Sequence, residues 1–172
     1  MECNEVVLDM LERNDRYVGQ ALNGLTLEDV HKRIGNGNSI AWLGWHLSRA
    51  QDRIVSMIQG TEQLWIGEGW HARFGRAADA KDSGGGWTAE QAVAFRVPDV
   101  KVFTDYYVAT RSQMYFFLTQ LKPQDLDRQV PDVTGMIPLG RRIGLLALEC
   151  MQHGGQIAYL RGALKGDGWY RR

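Results

Sequence analysis

The chain has 172 residues, a formal net charge of zero from 20 Lys and Arg against 20 Asp and Glu, four His and only two Cys. Zero net charge argues against a surface built to neutralise nucleic-acid phosphates or lipid head groups. Cys3 and Cys150 are too few for a disulfide framework or a four-thiolate zinc site, so any chemistry falls to histidines and carboxylates.

No run approaches the ~18 consecutive apolar residues that a membrane span needs. The acidic, amphipathic start MECNEVVLDMLERNDR does not read as a secretory signal. Free cysteines suit a reducing compartment, and the expected location is the cytoplasm.

Helical periodicity dominates. Val6, Val7, Met10, Leu11, Val18 and Leu22 fall at helical spacings and predict a first long helix over about 3–23, ended by Asn23-Gly24. Thr26 followed by Asp29 has the spacing of a capping box and predicts a short helix to Ile34. A second long helix is predicted from Asn38 or Ser39 to the stop at Gly60. Its apolar stripe is Ile40, Leu43, Leu47, Ile54 and Met57-Ile58, with Trp42, His46, Arg49 and Arg53 on an adjoining strip. Segment 61–97 reads less regularly: TEQLWIGEGWHARFG suits a short helix, RAADAKDSGGG reads as polar and flexible, and Thr88 opens another short helix by capping logic.

A third long helix, with Pro98 in its first turn, carries Val102, Tyr106, Ala109, Gln113, Phe116, Phe117 and Leu121 up to Lys122-Pro123. A fourth begins between Leu139 and Arg142 and runs to Gly166, after a loop, QVPDVTGMIPLG, that could hold a short extended pair. With no internal repeat and no long linker, residues 1–172 are expected to form one domain. Four long helices with a connection of nearly forty residues in the middle predict an all-α fold, a four-helix bundle with a crossover between the second and third long helices. That crossover allows these two helices to run parallel without forcing it.

The informative spacing is Glu149-Cys150-Met151-Gln152-His153. Residues four apart share a helical face, so this carboxylate and imidazole project together and can chelate one ion. Both sit among apolar residues (Leu145, Leu146, Leu148, Met151, Ile157, Leu160), where a Glu and a His need a partner. His46, surrounded by Trp42, Leu43, Trp45 and Leu47, is the natural third ligand. An N2O set leaves a coordination position open and does not choose sharply among Zn, Ni, Fe and Mn. The competing reading is ordinary: a lone histidine on a helix is more often structural, and a Glu/His pair four apart is often only a surface pair. Cys150 points about 100° away from Glu149 and reads as a small core residue. Gly154-Gly155 costs about 1 kcal/mol per glycine inside a helix and calls for a close approach by another group, ligand access or a bend. Gln156, three residues beyond His153, is placed to hydrogen-bond to it.

Two runs carry a resemblance. Ser39-Ile40-Ala41-Trp42-Leu43-Gly44-Trp45-His46-Leu47-Ser48-Arg49-Ala50-Gln51-Asp52 resembles the helix-two signature of the DinB/YfiT-like superfamily. His153-Gly154-Gly155-Gln156-Ile157, with Leu160-Arg161, resembles its helix-four signature. The resemblance spans essentially the whole chain. It implies an up-down-down-up four-helix bundle with one divalent metal near one end. Most members use three histidines; Glu149 replaces the first of the helix-four pair, as in the subgroup similar to mycothiol-dependent maleylpyruvate isomerase, where His, Glu and His bind zinc. The resemblance therefore implies His46, Glu149 and His153 as ligands of one divalent ion, zinc first, with nickel, iron or manganese as alternatives. That isomerase's additional C-terminal domain has no counterpart in this sequence, so isomerase activity does not carry over.

Characterised relatives imply a thiol S-transferase that joins a small thiol of the mycothiol or bacillithiol type to an electrophile. Gln156 would orient a ligand, and Trp65, Trp70, His71 and Phe74 of the crossover would wall the pocket. The alternatives are a metal-dependent hydrolase drawing an acid or base from Asp52, Glu68 or His71, and a non-enzymatic, metal-stabilised dimeric module. Arg49, Arg53 and Arg161 are candidates either for ion pairs with Asp52 or Glu62 or for substrate carboxylates. Tyr106, Tyr107, Tyr115, Phe116 and Phe117 suit a homodimer interface. No role falls to His31, and neither nucleic acid nor membrane is expected as a partner.

Overall fold

The computed structural model describes residues 3–133 and 135–170, with side chains from residue 5 onward, so the Cys3 side chain lies outside the described residues. The four long helices are α1 (Cys3–Leu22), α3 (Ile40–Gln59), α7 (Val100–Thr119) and α8 (Leu139–Lys165). Between them lie short helices α2 (Leu27–His31), α4 (Leu64–Gly67), α5 (Trp70–Arg73) and α6 (Ala89–Ala94), a 3-10 turn over Pro123–Asp127, and strands β1 (Gln129–Asp132) and β2 (Gly135–Pro138).

Local chemistry sets most of the helix ends. Ser39 caps α3 by accepting the Trp42 N–H, and Gly60, at φ 68°, closes it in the left-handed region that a side chain disfavours. Thr26 with Asp29, and Thr88 with Gln91, form reciprocal capping boxes. The start of α7 differs from the expectation. Pro98 lies outside the helix and Asp99 is the cap, accepting the N–H groups of Lys101 and Val102, because a carboxylate satisfies orphan donors that a proline cannot. Likewise α2 stops at His31, not Ile34, as the capping Lys32 turns to extended backbone.

Side-chain pairings give the helix directions. Gly44 meets Phe103 and Gln51 meets Thr110, so α3 and α7 run parallel. His46 lies by His153 and Gln51 by Cys150, so α3 and α8 are antiparallel. Asn14 donates to the Cys150 carbonyl at one level, and Asp29, just after α1, meets Lys165 near the end of α8, so α1 and α8 are parallel. The order is therefore up-down-down-up. At Gly44 an added Cβ would lie 2.5 Å from the Phe103 ring, so glycine lets α3 and α7 approach closely.

Leu11, Val18, Ile40, Leu47, Phe103, Met114, Leu146 and Ile157 fill the centre, each burial favouring the folded state by about 1.5–3 kcal/mol before entropy. The α1 stripe is offset from the predicted one: Val6 and Met10 are exposed, and Asn14 and Asp15 are buried beside Leu11 and Val18. Asp15 accepts hydrogen bonds from the hydroxyls of Tyr107 (2.6 Å) and Tyr115 across α7. Burial pushes the Asp15 carboxyl above its ordinary value despite both bonds.

The aromatic group on α7 lies largely inside. Tyr106, Tyr107 and Phe117 are buried, Tyr115 is partly buried, and Phe116 is exposed at 68%. The extended pair forms an antiparallel hairpin that turns Val130 and its partner Ile137 into the core. Among the described residues no helix is long and apolar enough to cross a membrane.

The crossover is more ordered than its composition suggests. Arg49, fully buried on α3, engages all five guanidinium N–H donors. Nε donates to the Asp82 carbonyl, Nη1 to Asp52 (3.1 Å) and the Tyr106 hydroxyl, and Nη2 to Gln63 and the Ala80 carbonyl. Asp52 in turn accepts the N–H groups of Leu64 and Trp65, both at 2.8 Å, at the start of α4. The segment read as flexible is thus tied down at Ala80 and Asp82, and the Asp82 carboxylate also pairs with Arg76 at 2.7 Å.

Candidate metal centre

His46 lies in the second turn of α3, and Glu149 and His153 lie one turn apart on α8, facing it across the groove. One ligand atom from each of the three falls within 4.8 Å of the others. Glu149 Oε1 is 3.0 Å from His46 Nε2 and 3.3 Å from His153 Nε2. The His46 and His153 rings meet edge to face at 5.0 Å, and Trp42, one turn before His46, stacks flat on its imidazole at 4.8 Å.

Outer hydrogen bonds orient both rings. His46 Nδ1 faces the Ser83 carbonyl, which can only accept, so Nδ1 carries a proton and Nε2 is the atom turned to Glu149. His153 Nδ1 faces Gln156 Oε1 at 2.7 Å, with the same consequence. Two imidazole lone pairs and a carboxylate oxygen then converge on one space, which is repulsive unless a cation lies among them. Protons on both Nε2 atoms would relieve it, and so would one divalent ion, for which two nitrogens and an oxygen form an established donor set.

In the proton-bridged arrangement, with Nε2 of both rings protonated, hydrogen bonds from His153 and His46 hold the Glu149 carboxyl well below the usual carboxylate range, against the opposing effect of burial. Burial by itself would lower the His153 imidazole, but its bonds to Glu149 and Gln156, with the Glu149 charge, raise it above its ordinary value.

The other candidates lie elsewhere. His71 faces the Arg76 carbonyl and the Trp65 ring, not the triad. Trp65, Trp70 and Phe74 pack on Tyr106 with centroids 5.2–5.7 Å apart and serve the core rather than a pocket wall at the triad. Asp52 is consumed by Arg49 and α4, and exposed Glu68 accepts the Trp70 indole N–H. Glu62 forms no ion pair with Arg49, whose carboxylate partner is Asp52. His31 serves the fold, since its Nδ1 faces the Leu27 carbonyl and its Nε2 accepts the Val97 N–H, fastening α2 to the end of the crossover.

Sequence reasoning placed Trp42 beside His46 on one strip of α3 but not its stacking on the imidazole, and it missed Ser83. Ser83 had no sequence signal, since its carbonyl reaches His46 through a fold-dependent contact 37 residues away. A Cβ on Gly84, at φ 80°, would lie 3.0 Å from the Trp42 ring, so glycine lets this loop close over the indole.

An up-down-down-up bundle with two histidines and a glutamate converging between its second and fourth long helices defines a recognisable class of helical protein. The chain belongs to the DinB superfamily, whose family model matches residues 10–157. A crystal structure of a conserved protein from Enterococcus faecalis has the same fold: the TM-score is 0.85 over 97% of this chain and 99% of that one, at 21% identity. No curated protein matches the chain.

Proposed function

We propose that this protein binds one divalent metal ion through His46, Glu149 and His153 and acts as a metal-dependent S-transferase for a low-molecular-weight thiol. The observation that carries the reading is the convergence of three acceptor atoms whose ring tautomers are fixed from outside by Ser83 and Gln156. Glu149 in the place usually held by histidine supports the His-Glu-His subgroup, with zinc as the first candidate.

The ion supplies Lewis acidity, lowering the pKa of a thiol that reaches it. The chain's own residues do the rest. Trp42 holds the His46 ring flat, Gln156 and Ser83 fix both imidazoles, and Glu149 balances the ion's charge. In the reaction the thiol loses its proton to solvent, its sulfur forms the new bond to an electrophilic carbon, and the leaving group departs with the bonding pair. The hydrolase alternative is less favoured because Asp52, Glu68 and His71 are all engaged away from the triad.

Incubating metal-loaded protein with mycothiol, bacillithiol, glutathione or cysteine and monochlorobimane tests the reading. Conjugate formation that needs both metal and thiol is the expected result. No thiol-dependent turnover with any of them overturns it.

A further inference from the structure

Four arginines lie on or near the face of the bundle that carries the triad, and three have a carboxylate. Arg49 pairs with Asp52, Arg76 with Asp82 at 2.7 Å, and Arg142 with Asp132 at 2.6 Å. Arg53 forms no ion pair among the described residues. Among the described residues its one hydrogen bond runs from Nη1 to the Ser83 hydroxyl at 2.8 Å. Ser83 therefore stands between Arg53 and His46, holding the first by its hydroxyl and the second by its carbonyl.

Helix geometry places Arg53 further. It follows His46 by seven residues, two turns, and so lies on the same face of α3 about 10 Å along. Arg142 precedes Glu149 by the same interval on α8, and because α3 and α8 are antiparallel the two arginines come to the same level of the groove. Burial, then the nearby charges of Arg49 and Arg142, lower the Arg53 guanidinium from its ordinary value, with Asp79 opposing them. Asp79 does not bond to Arg53; its Oδ1 accepts the Lys81 N–H. Arg142 Nε is also buried without a hydrogen-bond partner among the described residues.

The remaining Arg53 donors are not buried, so this half-buried guanidinium has N–H groups open to solvent and no carboxylate partner, and it can take an anion from solution. We infer that Arg53 forms an anion subsite two turns from the metal centre and that the substrate bound there carries a carboxylate. One uncompensated positive charge fits a monoanion better than a phosphate dianion. The inference rests on the proposed metal site and names the substrate class that the site accepts.

The test uses protein reconstituted with cobalt(II), whose visible absorption reports ligand binding without turnover. The probes are 3-mercaptopropionate, its neutral analogue 3-mercaptopropanamide, and succinate. Wild type should bind the mercaptocarboxylate at least about tenfold more tightly than the amide. Arg53→Gln should erase that preference and weaken succinate by a similar factor, with cobalt content and amide binding unchanged, and Arg53→Lys should restore part of it. Equal affinity for acid and amide in wild type, or a preference that survives in Arg53→Gln, overturns the subsite alone. If neither thiol binds but succinate does, the thiol reading fails, and the Arg53 claim stands or falls on succinate binding by Arg53→Gln. A chain that takes up no cobalt overturns both.

Discussion

Arg49 and Asp52, one turn apart on α3 and both fully buried, form an ion pair whose other bonds go mainly to the crossover: Gln63, Leu64, Trp65, Ala80 and Asp82. The pair shapes the candidate metal centre indirectly, because the loop held at Ala80 and Asp82 is the one that brings the Ser83 carbonyl to His46.

Breaking that pair should destabilise the fold and loosen the site. Asp52→Asn leaves a buried guanidinium uncompensated and should cost about 3–5 kcal/mol in urea unfolding. With Ser83 less firmly placed, the remaining folded protein should bind metal about 10–100-fold more weakly. Equilibrium unfolding followed by metal titration checks both.

The two adjacent glycines on α8 should respond in opposite directions. A Cβ on Gly154 would lie 2.2 Å from Asn14 Oδ1, and Asn14 is buried and donates to the Cys150 carbonyl at 3.1 Å. Gly154→Ala should therefore lose about 1–3 kcal/mol despite its better helix propensity. Gly155 has open space at the same position, so Gly155→Ala should gain about 0.5–1 kcal/mol. Thermal or urea unfolding of the two variants distinguishes the cases.

Cys150 should be inert in the native state. Burial, aided by the charges of Asp15 and Glu149 and only partly offset by Gln51, pushes its thiol up to about 12. Iodoacetamide at pH 8 should leave Cys150 unmodified in folded protein and label it in urea, as read by peptide mass. Because the folded value lies above the unfolded one, this group's stabilising contribution is complete below about pH 9 and is lost as pH rises toward 12.

Metal uptake should strengthen with pH. The raised His153 imidazole competes with the ion for its own proton at mildly acidic pH, whereas Glu149 is already ionised there. Affinity should rise by about tenfold per pH unit for each proton displaced as pH climbs from 5.5 to 7.5, and then level off. Calorimetry in buffers of different ionisation enthalpy would show proton release on binding at the low end; pH-independent affinity would contradict it.

The helices were legible because their signals are local: Ser39 and Gly60 bracket α3, and Thr26 and Thr88 announce short helices within three residues of themselves. The pairing of Glu149 with His153 was legible for the same reason. Bringing His46 to them needed the antiparallel packing of α3 and α8, which the spacing within either helix does not encode and which entered through family resemblance. The path of the crossover was not legible. Its polar, glycine-rich sequence looks mobile until Arg49, 31 and 33 residues earlier, claims the carbonyls of Ala80 and Asp82. Asp52 holds the start of α4, Trp65 and Trp70 pack on Tyr106, and His71 faces Trp65 instead of the triad.

The central claim is tested most directly by elemental analysis of the purified protein beside Glu149→Ala and His153→Ala, with circular dichroism confirming that each remains helical. Wild type should carry about one divalent ion per chain and either variant near none. Folded variants that retain the wild-type metal content would contradict it.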